Sequence, residues 1–429
     1  MRTLLLLSCV AVIATTTPLI AQDTQGREPV SLLQVLDSVA ARYPSLEAAR
    51  ARIRAARGSR STAGTLGNPI LMYQVENAPL PGRAAPPMDR ETMVTATLPL
   101  EPLYQRWSRV SGATADVRAA EADAQGARQR IGMDATRAFY RTARAQVALE
   151  VASDLKTWLD SIVAYNRARV KEGVAAEADL IRSELERDRA EADATMQEAD
   201  LARARADLTV FLNEEPDAPF LVAAFDAPLA LPDVAPTNRT GSARPDIRAA
   251  RERVTAAGSG VTTERTSLIR QLGITLGTKR SAGTTSLMAG VSMPFPLFDQ
   301  NRGSIARAAA ERDAAGFELA AQQRIGRAEI AGSAEAARLL TERAGVLADA
   351  SRGQGYLARA DEARRIALGA YREGAVPLIQ VIDAARAWGE ARVAFYQILY
   401  AQHESVVELL VAEGVDIAST LPTLTEARP

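Results

Sequence analysis

Cysteine, histidine and aromatic side chains are scarce: 429 residues hold one Cys, one His and 5% Phe, Trp and Tyr. One Cys and one His cannot build a four-ligand zinc site, a disulfide framework or a Cys-His pair with its orienting group, which excludes most catalytic and metal-binding kits. Net charge is missing too. Against 51 Lys and Arg stand 52 Asp and Glu, so there is no basic field for nucleic acid or an anionic lipid surface. Few aromatics beside abundant alanine point to thin contacts between long helices. Beyond the N-terminus, no stretch is apolar enough for a membrane-spanning helix.

Met1-Arg2, a mostly apolar run from Leu4 to Ile20 and then Ala21-Gln22 follow the order of a secretory signal peptide, with cleavage expected near Ala21. Removing it takes away Cys9 and leaves a mature chain without cysteine. A secreted chain of this kind can enter a membrane only as strands.

The chain then repeats itself with a period of about 201 residues. The segment from Pro44 through Ala48, Ala49, Arg50 and Arg52 to Ala55-Ala56 lies over Pro245 through Ala249, Ala250, Arg251 and Arg253 to Ala256-Ala257, seven identities in thirteen positions. The same offset places Glu172-Gly173 on Glu373-Gly374 and Leu208 on Leu409. The expected divisions are a signal peptide 1–21, a first repeat 22–215, a linker 216–240, a second repeat 241–414 and a C-terminal tail 415–429.

Each repeat reads as a helix, two short strands, a very long helix, a Gly turn and another long helix. Ser31 to about Ser61 forms the first helix, broken at Gly64 and Gly67-Asn68-Pro69. Ile70 to Glu76 and Thr92 to Leu98 alternate in part. In the second repeat Leu272, Ile274 and Leu276 alternate with glycine and threonine, and Leu287, Ala289, Val291 and Met293 with Ser286, Met288, Gly290 and Ser292. That period of two signals strands with one apolar face, approaching the length of tilted transmembrane strands. A half-buried soluble hairpin pair fits the same pattern.

From Arg106 to Lys171 run 66 residues without proline, a helix of roughly 100 Å. Val110, Ala113, Val117, Ala120, Ala124, Ala127 and Ile131, followed after a stutter by Ala135, Ala138, Ala145, Leu149 and Ala152, form a coiled-coil seam. Asn301 to Tyr371 repeats the plan. Gly173 and Gly374 then reverse the chain, because glycine tolerates left-handed backbone.

Four strands cannot close a barrel in lipid, where an open edge leaves unpaired backbone groups. Three chains supply twelve strands. The fold class expected is therefore mainly α with a small β part: long helical hairpins forming a trimeric helical barrel, with four transmembrane strands per chain contributing to a 12-stranded β-barrel. Tyr104, Trp107, Phe295 and Phe298 sit where strands hand over to helices, as an aromatic girdle would; ordinary core packing there is the equal alternative.

Three segments carry a family resemblance: Asn68-Pro69 through Tyr73 to Glu76-Asn77, Met293-Pro294 through Phe298 and Asp299 to Gly303, and Tyr371-Arg372-Glu373-Gly374 running into Val381-Ile382-Asp383-Ala384. Together they resemble the outer-membrane efflux proteins, or TolC-like channels, across nearly the whole mature chain, and the first two look most like the heavy-metal branch. The resemblance implies a homotrimeric exit duct in outer-membrane lipid, extending into the periplasm and served by a periplasmic adaptor and an inner-membrane proton-driven pump. It implies hairpin tips at Gly173, Val174, Gly374 and Ala375 as the docking points. It also implies a periplasmic constriction at Asp179 and Asp383, with Gln380 where the family often carries Asp. Negative charge early in a returning helix equally complements the helix dipole.

No cofactor, resident metal or nucleic-acid partner is expected, and no enzymatic activity. His403, between Gln402 and Glu404, reads as a solvated residue rather than a ligand. A periplasmic coiled-coil adaptor without a pore is the alternative, but it needs neither four alternating strands nor a chain-long duplication.

Overall fold

The computed structural model describes residues 29–78, 82, 88–215, 218, 220–232, 242–267, 272–293, 295–349 and 355–426. The expected signal peptide lies outside them.

The first helical segment is two helices, not the single one expected. Helix α1 (Leu32–Arg42) starts at a capping box in which Ser31 Oγ accepts from the Gln34 amide and the Gln34 side chain accepts from the Ser31 amide. Its Leu32, Val35, Leu36 and Val39 form the buried stripe. Pro44 opens α2 (Pro44–Ala63) and holds Tyr43 in extended backbone, because a residue before proline is driven out of the helical region. Strands β1 (Ile70–Glu76) and β2 (Glu91–Pro99) follow, then α3 (Glu101–Lys171), 71 residues long. Burial on α3 reaches well beyond a two-helix seam: Ala115, Ala119, Ala122, Met133, Phe139, Tyr140 and Ala143 are buried alongside Val117, Ala135 and Ala138. The reason is that α3 packs on α1, α2, α4 (Glu177–Leu212), α5 (Pro245–Thr266) and α8 (Leu378–Ala412).

The second repeat restates this order with β3 (Gly273–Ser281), β4 (Thr284–Ser292) and α6 (Arg302–Ala348). The long helix expected through Tyr371 is interrupted. Asp349 leaves α6 in extended backbone, and α7 (Tyr356–Arg372) starts only after Gly355. Gly355 stands at this break, and glycine costs a helix about 1 kcal/mol relative to alanine, whereas the equivalent residue of α3 is Asp154. The C-terminal segment is also more than a tail. Helix α9 (Ile417–Glu426) buries Ile417 and Leu421 in the main core beside α1 and α8.

Both repeats end alike. Asn213 after α4 and Gly414 after α8 lie at equivalent positions and both adopt left-handed backbone, φ 57° and 79°. What packs on these ends differs. In the first repeat Tyr43 stacks on Phe211 at 5.7 Å. In the second, Arg244, equivalent to Tyr43, donates to the Ala412 carbonyl at 3.1 Å and to Asp246 and Glu329 at 2.8 and 2.6 Å. Its guanidinium is nearly buried, so removal takes the side-chain donor from the Ala412 carbonyl and the cation from the partly exposed Asp246 and Glu329. Arg244→Met is expected to destabilise the protein by about 2 kcal/mol, read as a lower melting midpoint by circular dichroism; an unchanged midpoint would show the cluster to be dispensable.

Candidate functional site

The four strands form one antiparallel sheet in the order β1-β2-β3-β4. Its register turns alternation into one mainly apolar face, polar only in its last row of Val75, Thr92, Arg280 and Thr285, and one face richer in small and polar residues. Leu71, Ala96, Leu276 and Ala289 form one cross-strand row; Tyr73, Val94, Thr278 and Leu287 a second; Leu98, Ile274 and Val291 a third. These share a face, and it is open: Leu287 is 81% exposed. The opposite face carries Ile70, Thr97, Thr275 and Gly290, then Met72, Thr95, Gly277 and Met288, then Gln74, Met93, Lys279 and Ser286. Within the described chain β1 and β4 are both edge strands. A water-exposed sheet with a largely apolar face and two open edges is an aggregation hazard; in lipid that face is at home, provided further strands pair the edges.

The hairpin turns locate the sheet's far end. Ala282 and Gly283, at φ 51° and 80°, make the two-residue turn between β3 and β4, and positive φ at both centres matches the strand twist. All four strands meet helices at the other end, where three of the four predicted interface aromatics stand free: Trp107 is 76% exposed, Phe298 fully and Phe295 nearly as much as Trp107. Tyr104 is half-buried.

At the opposite pole of the molecule the two helical turns share one geometry. Gly173 and Gly374 have φ 72° and 77°. The amides of Val174 and Ala375 close each turn on the carbonyls of Arg169 and Ala370 at 3.0 and 2.8 Å. Gly173, Val174, Gly374 and Ala375 are all exposed. Asp179 lies half-buried in the first turn of α4; Gln380 and Asp383 point outward from the start of α8.

Beside the tips the structure assembles a group that sequence reasoning missed. The Tyr371 hydroxyl donates to Asn166 Oδ1 at 2.7 Å inside a buried contact between the two hairpins. The Arg169 guanidinium lies 5.5 Å from the Tyr165 ring and 5.8 Å from that of Tyr371. Burial, and after it the negative field of Asp179, push the Tyr371 phenol above its ordinary range, which puts Asp179 within electrical reach of this contact. Arg386 of α8 pairs with Glu186 of α4 farther along. A groove of about 480 Å³ separates α4 from α8, floored by Val151, Leu155 and Leu159 of α3. The legible signal was Asn166 itself, a polar residue four positions beyond Ile162 in a buried stripe.

His403 corrects an expectation. It is fully buried, not solvated, with Nε2 2.9 Å from the Ala227 carbonyl and Nδ1 3.2 Å from the Tyr140 hydroxyl. The segment 220–232 leads from the first repeat towards the second, and it also meets Gln402, which bonds both backbone groups of Leu229. Among the described residues no His, Cys, Asp and Glu side chains gather in a metal-binding group, and no helix is long and apolar enough to cross a membrane.

This architecture can be set beside known proteins. The Outer membrane efflux protein family matches residues 35–214 and 238–415, one span in each repeat. The chain belongs to this family of outer membrane efflux proteins. No curated protein sequence matches significantly. Among solved structures, the outer-membrane channel OprN is 22% identical with a TM-score of 0.74, over 90% of each chain. CusC is 15% identical at 0.74, covering 95% of this chain and 99% of its own. VceC of Vibrio cholerae is 18% identical at 0.73, covering 90% and 96%. These likenesses carry the fold. Family membership places this outer membrane efflux protein among channels of the outer membrane that extend into the periplasm.

Proposed function

We propose that this efflux protein is the passive exit duct of a tripartite system, working as a homotrimer whose twelve strands close one barrel in outer-membrane lipid. The observation that supports this most is the sheet: an exposed apolar face and two open edges in one chain ask for lipid on one side and sister strands laterally. A pore-free adaptor has no use for either. Trp107, Phe295 and Phe298, with Tyr104 beside them, form the girdle at the periplasmic interface. The two repeats, 22–215 and 241–414 joined by 216–240, contribute two strands and one long helical hairpin each, so three chains build the wall of a periplasmic tube.

The tips at Gly173-Val174 and Gly374-Ala375 are where the periplasmic adaptor, with its proton-driven inner-membrane pump, docks. Asp179 and Asp383 line the entrance with Gln380 beside them, and carboxylates at a narrow mouth favour cations and resist tight closure through mutual repulsion. The substrates that suit such an entrance are cationic; heavy-metal ions are the class the resemblance of Asn68–Asn77 and Met293–Gly303 favours, with selection left to the pump.

Single-channel recording of the detergent-purified protein in planar bilayers tests this, with its oligomeric mass measured on the same sample. A trimer with cation-preferring conductance is expected, and Asp179→Ala with Asp383→Ala should lower that preference at least twofold. Trimers indifferent to the two substitutions would return the carboxylates to helix-dipole duty. A soluble monomer that never conducts would sink the duct.

A further inference from the structure

Charge on the polar face of the sheet is confined to its far end. Among the described strand residues of that face only Glu76, Glu91 and Lys279 are charged. Glu76 lies six residues beyond Ile70, about 20 Å along the strand from the helix junction. Opposite it, as its direct cross-strand partner, stands Glu91. Two carboxylates facing each other destabilise a strand pair, so their retention here needs an explanation. Part of it is Lys279, whose Nζ lies 2.6 Å from the Glu91 carboxylate, while the Ser281 hydroxyl donates to the same group at 2.9 Å. Lys279 is thereby held against Glu91. Among the described residues Glu76 receives a hydrogen bond from the neutral Gln74 amide at 2.8 Å and has no ion pair. One ion pair and one carboxylate without a cation of its own remain on each chain, both carboxylates sharing the field of the single Lys279.

In the barrel proposed above, on which this step rests, the apolar face meets lipid and the opposite face lines the lumen. We infer that Glu76, Glu91 and Lys279 form an ion-selecting ring at the outer mouth of the channel, with Lys279 moderating a cation preference that Glu76 sets. Symmetry repeats the unit three times around one axis, giving six carboxylates against three lysines at the opening. A ring of carboxylates of this kind raises the local cation concentration and depletes anions, and the effect fades with ionic strength as the screening length shortens. Substrate released from the periplasmic tube meets this ring last. The ring therefore acts on small cations entering from outside as well as on cargo leaving.

Reversal potentials in a potassium chloride gradient test the ring in the Asp179→Ala, Asp383→Ala background, which removes the two candidate carboxylates of the periplasmic entrance. Trimers are verified by mass first. Glu76→Gln, which breaks no ion pair, should lower the potassium-to-chloride permeability ratio at least twofold, and Lys279→Met should raise it by a similar factor. Both shifts should shrink at high salt. If Lys279→Met fails to assemble, Glu76→Gln still decides. Conducting trimers whose ratio is unmoved by Glu76→Gln, or moved the opposite way, overturn the ring and leave the duct standing. Loss of all conductance in the unsubstituted protein refutes the duct itself.

Discussion

Replacing Gly277 with valine is expected to abolish trimer assembly, while the same substitution at Gly290 leaves it intact. Both glycines lie on the polar face of the sheet, yet their surroundings differ. A Cβ at Gly277 would press on the Val94 carbonyl oxygen and lie 2.8 Å from both Cα and Cγ2 of Thr95. Two of those three atoms are backbone of β2, which cannot swing aside as a side-chain tip can. At Gly290 nothing lies within 4 Å of the added atom. Among the described residues the β2-β3 ladder is the strand pairing that joins the two repeats, so forcing it apart breaks the sheet at its centre. Overpacking alone costs about 1 to 3 kcal/mol, and each ladder group left unpaired in lipid adds several more. Size-exclusion chromatography with mass determination in detergent checks it. A Gly277→Val protein that is trimeric and melts like its parent would show that β2 and β3 have room to spare.

Gly277 also illustrates what was legible. Its place in an alternating strand could be read directly, since a period of two survives whatever surrounds it, and β1 begins and ends at the residues expected, Ile70 and Glu76. The two tip turns were equally plain, because left-handed backbone favours glycine at Gly173 and Gly374. The long helices were legible in period but not in continuity. Pro44 sits inside an otherwise unbroken helical pattern, so the helical period continued through it although its local effect on Tyr43 breaks the helix there. Tertiary pairings left the weakest trace. Tyr371 and Asn166 are 205 residues apart, and nothing local to either announces the other. The closing of three sheets into one barrel leaves no trace in a single chain except the two edges that need it.

His403 was misread for the same reason, and its burial has a measurable consequence. The Ala227 carbonyl can only accept, so Nε2 carries the proton and Nδ1 accepts from the Tyr140 hydroxyl. The imidazole is thus neutral, enclosed by Tyr140 of α3, Tyr400 of α8 and Phe225 of the inter-repeat segment, with Glu404 and Arg144 paired just beyond. Burial drives its pKa down to about 4, only partly offset by the Ala227 carbonyl. A depressed histidine pKa means that the unfolded chain binds a proton the folded chain refuses, so stability must fall as pH drops below the ordinary histidine value near 6.5. The loss continues to about pH 4 and then levels off, because the folded protein also takes up the proton there. Over that window the linked change is about 3 kcal/mol. Carboxylates titrate in the same range, so the diagnostic quantity is a difference. His403→Gln keeps a donor for Ala227 without a titrating group, and its melting midpoint should fall less steeply between pH 6.5 and 4 than that of the unsubstituted protein. Parallel midpoint curves for the two proteins across that window would mean that His403 is protonated in the fold without strain, and that Tyr140 and Ala227 hold the segment joining the repeats whether or not the ring is charged.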